Sequence, residues 1–572
     1  MNNFLKKFVE SYSEFLKADG LIFFLLLILN ITPIVETFSV IGTDQFRGAF
    51  SDAVQTFYFG AVVILAFLWL IHWGLSKFPR AKFFLQILIL IGFAISFVVD
   101  AFTILTFKQV LNMHFIEVVL ATNFNEAKEF LQFYVLKAKI ILALAAFSVI
   151  IAVAIRKLRG AFQNISANNF RRLSYYTLII LLPAAISLAY GVAVSFLTLA
   201  DKNTILGRNI KGTYSAMKIA GSEPEIFATM DAQDEKIIST GAEIPYVVFV
   251  LGESEMRQHM QVYGYKLETT PLAVERYKRG ELFKFNDVIA CANGTSAAMK
   301  LIFTFSEKEN ELEDWYKTPN IFDILKSAGY YTAWISNQSP VGWYGNLDKI
   351  YSERCNEKYF TEVAPNENKN VWTRDFDSVL LPALDDTLTR SQEKNFYVVH
   401  LYGSHEVYFE RYPMEFEKFT AAAEDKPTAE GKKLSAEYDN SILYTDFILD
   451  EIFKRFEDKN ALIIYISDHG DEVYENGSNF AGHSPESNGA LTMIEIPMLV
   501  WTSNKFRELY PEKISALKNS ADNPYRTDLI IHTVLDLMNI QTENFNPAKS
   551  IVNEKFDKYR QRIYNGKTYT KN

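Results

Sequence analysis

Long apolar runs dominate the first two hundred residues of this chain of 572. About five of them are long enough to cross a bilayer, and they lie near residues 20–40, 57–77, 83–105, 139–155 and 174–198. Runs of this length with few charges rarely repeat so closely in a soluble protein, which disfavours the alternative of buried helices in a large soluble core. The sequence therefore predicts a transmembrane domain over residues 1–200.

Positive charges between the runs predict the orientation of these helices. Lysine and arginine cluster before the first run, between the second and third, and between the fourth and fifth. Because cytoplasmic loops are enriched in Lys and Arg, these segments are expected inside the cell. An odd number of crossings then places everything beyond about residue 200 outside the cytoplasm. In a Gram-negative cell this predicts an inner-membrane protein with a periplasmic carboxyl-terminal half.

Charge and cysteine content exclude some partners and leave one question open. The formal net charge of −9 and the lack of a dense basic block argue against a nucleic-acid partner, since phosphate backbones are bound by clustered Lys and Arg. The two cysteines, Cys291 and Cys355, lie in the half predicted to be exported, where disulfides persist. One bridge and two free thiols are equal alternatives here.

The exported half reads as a linker followed by an α/β domain. Residues 201–240 turn polar, which favours a linker, and residues 241–572 follow as a globular domain. Three short apolar runs in that domain, at 245–251, 395–401 and 461–467, are typical of buried parallel strands. A helical segment at 319–329 ends in a glycine stop signal. Alternating strands and helices predict a mostly parallel central sheet.

Chemically active side chains follow three of the predicted strands. Glu253 follows the first, His405 the second, and Asp468 with His469 the third. Each alone is more often a turn or cap residue than a ligand, but sites in open α/β sheets lie beyond the carboxyl ends of strands, and three strands here end in such residues. Two carboxylates and two imidazoles converging there can bind a divalent cation, and a mixed oxygen and nitrogen set permits Mn²⁺ as well as Zn²⁺. His483, in a nearby loop rich in glycine and serine, is a further candidate.

The segment CANGTSAAMK, residues 291–300, supplies a candidate nucleophile. A glycine-hinged turn presents Thr295 and Ser296 at the start of a predicted helix, where anions such as a phosphoryl group are favoured. A threonine hydroxyl needs a metal or a base to become nucleophilic at neutral pH. The local sequence alone does not separate this role from that of a simple helix cap.

Taken together, the motifs resemble the lipid-linked phosphoethanolamine transferases of the alkaline phosphatase and sulfatase superfamily, which include the enzymes of acquired colistin (polymyxin) resistance. The resemblance covers nearly the whole chain. Its motifs are GES with YGY and TTP (252–271), NGTS (293–296), ISNQ (335–338), HLYGSH with RYP (400–413), SDHGDE with ENG (467–477) and GHSPE (482–486).

The resemblance implies a role for each matching position. Those that match the ligands of the principal zinc ion are Glu253, Thr295, Asp468 and His469. Thr295 matches the residue that becomes modified with phosphoethanolamine, while His405 and His483 match histidines that hold the phosphate or a second zinc. The implied reaction moves the headgroup of phosphatidylethanolamine onto Thr295 and then onto an envelope acceptor such as lipid A or a core sugar of lipopolysaccharide.

The match is incomplete in the loop before the fourth apolar run. Family members carry an Asn-Thr-Glu set there that is thought to cradle the donor headgroup. Thr122 and Glu126 fit this pattern, whereas Val118 stands at the Asn position. With one disulfide at most, the chain also resembles the members acting on core sugars or other acceptors more than the disulfide-rich members that modify lipid A.

Three rival functions make distinguishable demands on the sequence. A sulfatase requires a Cys/Ser-x-Pro-x-Arg setting, and CANGTS lacks both the Pro and the Arg. A lipoteichoic acid synthase would transfer glycerol phosphate with the same architecture, but HLYGSH and the loop near Thr122 favour the ethanolamine branch. A non-catalytic membrane sensor predicts lost metal ligands, and none of the expected positions is lost. The sequence therefore favours a metal-dependent phosphoethanolamine transferase.

Overall fold

The computed structural model divides the chain into two compact units, described separately below. Its described residues are 2–40, 46–112, 115–116, 119, 124–135, 201–220, 223–233, 235–241, 244–310, 315–340, 347–361, 375–483, 490–564 and 566–571, with isolated positions between 149 and 177. The first unit comprises Met1–Glu117 and Leu131–Lys218, and the second comprises Val118–Phe130 and Ile219–Asn572.

Helices make up the described part of the chain before residue 221. They are α1 (Asn2–Leu29), α2 (Thr32–Glu36), α3 (Phe46–Gly74), α4 (Pro79–Phe107), α5 (Phe124–Phe130) and α6 (Ile205–Ala220). Three stretches are long and apolar enough to cross a membrane, at Glu10–Glu36, Phe46–Gly74 and Pro79–Phe107. The first three predicted spans are thus confirmed as long apolar helices, and the fourth and fifth lie mostly outside the described residues.

Several buried polar side chains of the first unit pair with one another. Asp100, fully buried in α4, pairs with Arg208 of α6 and accepts a hydrogen bond from the Thr32 hydroxyl at 2.7 Å. The Asn30 amide oxygen accepts the Ile205 backbone N–H at 2.7 Å. Pairing of this kind is required in an apolar helical bundle, because a buried polar group without a partner is costly. These contacts join α6 to α4 and to the turn between α1 and α2, and they join α2 to α4.

The second unit is built on a central sheet. The described strands of the second unit are β1 (Ile237–Thr240), β2 (Tyr246–Gly252), β3 (Leu282–Lys284), β4 (Val288–Ile289), β5 (Tyr331–Ser336), β6 (Glu357–Phe360), β7 (Asn395–His400), β8 (Ala461–Ser467), β9 (Glu472–Val473), β10 (Ala481–Gly482), β11 (Met498–Thr502), β12 (Tyr525–Arg526), β13 (Ile540–Thr542), β14 (Ile563–Tyr564) and β15 (Lys567–Thr568). Seven of them form the main sheet, in the order β3-β11-β8-β2-β7-β5-β6.

This sheet confirms the predicted α/β fold. The three apolar runs form β2, β7 and β8, which are neighbours and pair in parallel. They are buried almost throughout, as near-continuous apolar strands covered on both faces must be. β11 is antiparallel to both β8 and β3, so the sheet is mixed at one edge.

Helices separate the strands along the chain of the second unit. After residue 221 they are α7 (Glu223–Asp231), α8 (Pro271–Lys278), α9 (Thr295–Ile302), α10 (Ile321–Ser327), α11 (Leu347–Ser352), α12 (Leu380–Leu388), α13 (Ala429–Lys454), α14 (Asn504–Leu509), α15 (Pro511–Asn519) and α16 (Ile530–Leu537). The predicted helix at 319–329 is α10. The Asn320 side chain caps its first turn, and Gly329 follows its end with a φ of +84°.

The segment predicted as a linker contains regular structure. It holds α6, α7 and β1, and β1 pairs with β13 far along the chain. The division between the two units falls inside this segment, after Lys218. Its polar composition therefore reflects exposed faces of folded elements as well as a connection between units.

A buried histidine makes the stability of the second unit depend on pH. His259 Nδ1 lies 2.5 Å from Asp439 and its Nε2 lies 2.8 Å from Glu475. Burial alone would lower the pKa of His259, but the two carboxylates raise it to about 9. Since this exceeds the unfolded value of about 6.5, the stabilisation is complete below that pH and is lost as pH rises through about 9.

We therefore expect the free energy of unfolding to fall by on the order of 3 kcal/mol as pH is raised through this window. The thermal unfolding midpoint of the full chain in detergent, measured from neutral to alkaline pH, checks this. His259→Gln should lower the midpoint at neutral pH and flatten its dependence in the window. An equally steep dependence in the variant would assign the effect to other groups.

Candidate metal centre and nucleophile

Strand order explains why three distant motifs meet at one edge of the sheet. β2 lies between β8 and β7, with Gly252 opposite Ser467 and Leu251 opposite His400. The residues that follow these positions leave the sheet at its carboxyl edge, side by side. Glu253 and Asp468, separated by more than two hundred positions in the chain, therefore become neighbours, as predicted for an open parallel sheet.

Three fully buried side chains form the centre of this edge. His469 Nε2 lies 3.2 Å from a Glu253 carboxylate oxygen and 3.4 Å from Asp468 Oδ2. Ligand atoms from all three lie within 4.8 Å of one another, close enough to hold one metal ion. The structure thus brings together three of the four predicted principal ligands, and Thr295, described below, adjoins them.

The electrostatics of this cluster also fit a cation. Burial and the neighbouring Glu253 raise the pKa of Asp468 to about 6. Burial opposes charge on Glu253 as well, but its hydrogen bond to His469 holds the pKa of Glu253 well below its usual range. Asp468 Oδ2 is buried and has no hydrogen-bond partner among the residues that the structure describes. A buried carboxylate oxygen without a partner is costly, and a bound divalent ion would satisfy it.

Backbone contacts orient the candidate ligands. His469 Nδ1 lies 3.0 Å from the Gly470 carbonyl, so Nδ1 carries a proton, while Nε2 faces the carboxylates, where a bound metal ion would take the place of its proton. Asp468 Oδ1 accepts backbone N–H groups from Ser254 at 3.2 Å and from His469 at 2.7 Å. This occupies Oδ1 and leaves Oδ2 facing the cluster.

Thr295 stands at the start of α9, beside the cluster. Its hydroxyl donates to Glu253 Oε2 at 3.0 Å and lies 3.4 Å from His469 Nε2. Gly294, not Thr295, occupies the N-cap position, and no side chain caps this helix. The helix-cap alternative is therefore wrong, and the hydroxyl instead faces the carboxylate. Ser296, by contrast, is exposed.

A second group of side chains lies next to the first. The ring of His483 is 4.1 Å from that of His469 and 6.4 Å from that of His405. His483 Nδ1 lies 2.9 Å from the buried Asp471, and these two residues with His469 form a second set able to hold a metal ion. His405 and His483 thus lie beside the centre, and their role in holding the phosphate or a second metal ion stays a prediction.

Sequence reasoning missed residues that support the site. Gln338 Nε2 lies 3.4 Å from Glu253 Oε2, and Asp377 accepts the backbone N–H groups of Tyr402 and Gly403 at 2.8 and 2.9 Å. Gln338 follows β5, so the strand-end argument could have found it, as it could have found Asp471 two residues after His469. Asp377 precedes a helix far from any quoted motif, and no local pattern marks it.

Three other predicted features do not form part of the described site. Thr122 lies outside the described residues, and Glu126 is placed only as a backbone position within α5. Cys291 and Cys355 are free. The Cys291 thiol contacts the Ala298 carbonyl, whereas the Cys355 thiol contacts that of Tyr351, so the bridge that the sequence left open is absent.

Gly403 offers a test of how closely the site is packed. Its φ is +52°, and an added Cβ would lie 2.8 Å and 2.9 Å from the Glu253 backbone oxygen and nitrogen. We expect Gly403→Ala to displace Glu253 and lower bound metal or activity by about 10- to 100-fold. Elemental analysis and turnover of the purified variant check this.

Gly280→Ala is a matched control, since it also has a positive φ of +75° but no atom within 4 Å of the added Cβ. It should cost only backbone strain of about 1–2 kcal/mol and leave bound metal unchanged. Equal metal loss in both variants would mean that strain, rather than displacement of Glu253, is responsible.

Comparison with known proteins bears on this geometry. A sequence model of the sulfatase family matches residues 245–540, the stretch that contains β2, β7, β8 and the clustered side chains. This stretch is more than half of the 572 residues. The chain belongs to the sulfatase family.

Individual proteins similar to this chain extend the comparison. Phosphoethanolamine transferase EptC of Escherichia coli O18:K1:H7 (strain RS218 / NMEC) is 32% identical over 340 residues, covering 58% of this chain and 57% of that protein. The aligned region therefore spans little more than half the length of that curated relative. The resemblance to phosphoethanolamine transferases is thus confirmed at the level of sequence.

Two solved structures are also similar. The C-terminal periplasmic domain of EcEptC from Escherichia coli, in complex with Zn, aligns with a TM-score of 0.52 and 30% identity over 58% of this chain and 94% of that one. The integral membrane protein lipooligosaccharide phosphoethanolamine transferase A from Neisseria meningitidis aligns with a TM-score of 0.62 and 22% identity over 93% and 98%. The second match shows the shared fold, in which apolar helices precede a sulfatase-like α/β domain.

Proposed function

We propose that this sulfatase-family protein is a metal-dependent phosphoethanolamine transferase that carries the group on Thr295. The observation that carries the proposal is the position of the Thr295 hydroxyl, at a helix amino terminus and 3.0 Å from Glu253 in the buried carboxylate-histidine cluster. The 32% identity with a phosphoethanolamine transferase supports the choice of group.

The residues of the cluster fit a divalent metal ion. Glu253, Asp468 and His469 would hold it together with Thr295, and the orphaned Asp468 Oδ2 is the atom that most requires it. When bound, such an ion lowers the pKa of a coordinated hydroxyl and stabilises negative charge on phosphoryl oxygens. Zinc is the ion in the similar structure, and oxygen and nitrogen ligands also admit Mn²⁺.

The protein's own groups account for the first transfer. The hydrogen bond to Glu253 Oε2 orients the Thr295 hydroxyl, whose oxygen gives up its proton to water and forms a bond to the phosphorus of phosphatidylethanolamine. The bond from phosphorus to the diacylglycerol oxygen breaks, and that oxygen takes up a proton. The amino terminus of α9 faces the phosphoryl oxygens and favours their negative charge. His405 and His483 flank the centre and would hold the phosphate or a second metal ion.

The second transfer regenerates the threonine. An acceptor hydroxyl or phosphate oxygen bonds to phosphorus, the bond to Thr295 breaks, and Thr295 regains a proton. We infer that the acceptor is lipopolysaccharide, at lipid A or a core sugar, or another envelope glycan. Thr122 and Glu126 are proposed to contact the donor headgroup.

The arrangement of the chain supports a location at the inner membrane. We propose a transmembrane domain over residues 1–200, a connecting segment over 201–240 and a periplasmic catalytic domain over 241–572. Three apolar helices long enough to span a bilayer and the division after Lys218 support this organisation. A membrane location also gives the site access to a lipid donor.

Donor choice tests the proposal against transfer of glycerol phosphate. The full chain in mixed micelles, loaded with Zn²⁺ or Mn²⁺, should release diacylglycerol from phosphatidylethanolamine and gain the mass of one phosphoethanolamine group. Phosphatidylglycerol should give neither product. Diacylglycerol release from phosphatidylglycerol alone would assign the chain to glycerol phosphate transfer instead.

A further inference from the structure

One short segment between two parts of the first unit groups with the second unit. Val118–Phe130 belongs by its contacts to the second unit, although the chain on either side of it belongs to the first. In sequence it lies between the third and fourth apolar runs. Its described end is α5, and the Glu129 side chain of α5 contacts Tyr402 and Arg411 in the second unit.

Glu129 is buried in a network of side chains. Its carboxylate accepts a hydrogen bond from Arg411 Nη2 at 2.7 Å and from the Tyr402 hydroxyl at 3.1 Å. The Glu129 side chain is 6% exposed and that of Arg411 is 1% exposed. Breaking one partner of such a pair leaves an uncompensated buried charge, so the pair is a strong constraint on whatever it joins.

Arg411 connects this pair to the loop of His405. Its Nε donates to the backbone carbonyl of His405 at 3.1 Å, and its Nη2 donates to that of Glu406 at 2.7 Å. The guanidinium also stacks 4.4 Å above the ring of Tyr402, and this ring lies 5.0 Å from the ring of His405. One guanidinium therefore fixes both the backbone and one face of the ring of His405.

Glu129 itself approaches the same histidine. Its carboxylate is 3.8 Å from His405 Nδ1, and Glu406 lies 3.5 Å from the same atom. His405 in turn faces His483, whose ring contacts that of His469 in the candidate metal centre. A continuous set of contacts thus runs from Glu129 to the centre.

We propose that Glu129 is a positioning residue of the active site, which seats α5 against the loop of His405 through its buried ion pair with Arg411. The proposal rests on the proposed function, because its consequence is a slower transfer to Thr295. In this role Glu129 makes α5 part of the active-site lining. This is separate from any contact that Thr122 or Glu126 makes with the donor.

The test measures formation of the Thr295 adduct by the full chain in phosphatidylethanolamine micelles. Glu129→Gln keeps the shape of the side chain but removes its charge. We expect the maximal rate of adduct formation to fall by about 10- to 100-fold, with bound metal at the wild-type level and the half-saturating donor concentration nearly unchanged. Arg411→Gln should give a similar loss, and the double variant should be no slower than the worse single variant.

A control separates positioning from stability. Asp450→Asn breaks another buried ion pair, which Asp450 makes with Arg276 at 2.6 Å beside Trp501 of β11. It should lower the unfolding midpoint without changing the rate. If Glu129→Gln does not fold, Tyr402→Phe removes only one donor to Glu129 and should slow the same step.

The possible failures are distinguishable. Wild-type protein that forms no adduct would reject the proposed function itself. An adduct that forms at the wild-type rate in Glu129→Gln, or additive losses in the double variant, would reject the role of Glu129 alone. If Asp450→Asn and Glu129→Gln are equally destabilised and lose the same fraction of the transfer rate, the rate loss in Glu129→Gln is explained by lower stability and not by positioning.

Discussion

Thr295→Ala is expected to abolish phosphoethanolamine transfer, with diacylglycerol release falling by roughly 10⁶-fold, as is typical when a nucleophile that acts with its partners as a unit is removed. The structure gives the reason. The lost hydroxyl is the group that donates to Glu253 and lies 3.4 Å from His469 Nε2. Since no side chain at Thr295 caps α9, its removal costs the helix little. The thermal unfolding midpoint should therefore stay near the wild-type value.

Two variants with small changes at Thr295 and at the adjacent Ser296 serve as controls for this result. Thr295→Ser keeps a hydroxyl at the same position and should retain part of the activity. Ser296→Ala removes the adjacent exposed hydroxyl and should behave as wild type. Full activity in Thr295→Ala, or its loss only in Ser296→Ala, would move the nucleophile to another residue.

Asp468→Asn is expected to release the metal ion from the purified protein. The change removes the negative charge of the carboxylate whose Oδ2 is buried without a partner, but it keeps the volume of the side chain. Glu253→Gln should have the same effect, because it removes the second charged oxygen ligand. We expect metal affinity to fall by at least about 100-fold and transfer to fall with it, as measured by elemental analysis and by diacylglycerol release.

Asp446→Asn provides the matched control for charge removal. Asp446 is also buried, but it accepts the backbone N–H groups of Leu272 and Ala273 at the start of α8 and lies outside the metal cluster. An asparagine oxygen can still accept one of these two N–H groups, and the change lies outside the metal cluster, so bound metal should stay at the wild-type level. Wild-type metal content in Asp468→Asn would contradict the assigned role of Asp468.

Strand-end residues were predictable from the sequence because the sheet follows a simple rule. β2, β7 and β8 are recognisable as apolar runs, and parallel strands deliver the residues after them to one edge. Glu253, Asp468 and His469 could therefore be placed together before any coordinates were known. The order of the strands is what makes them neighbours, and no single run contains that information.

Other features depend on contacts between distant segments that no local pattern encodes. Thr295 could not be separated from a helix cap by its sequence, because the decision rests on where the hydroxyl points. Glu129 reads as an ordinary loop carboxylate until Arg411, nearly three hundred positions later, is found beside it. The two cysteines likewise have no pairing rule in the sequence, and their separate carbonyl contacts decide the matter.

The covalent state of Thr295 tests the central claim most directly. Full-length protein loaded with metal is incubated with phosphatidylethanolamine, quenched, digested and analysed by peptide mass spectrometry. We expect one phosphoethanolamine group on the peptide that contains residues 291–300, located at Thr295 and absent from Thr295→Ala. An adduct on any other residue, or transfer to the acceptor with no adduct on Thr295, would contradict it.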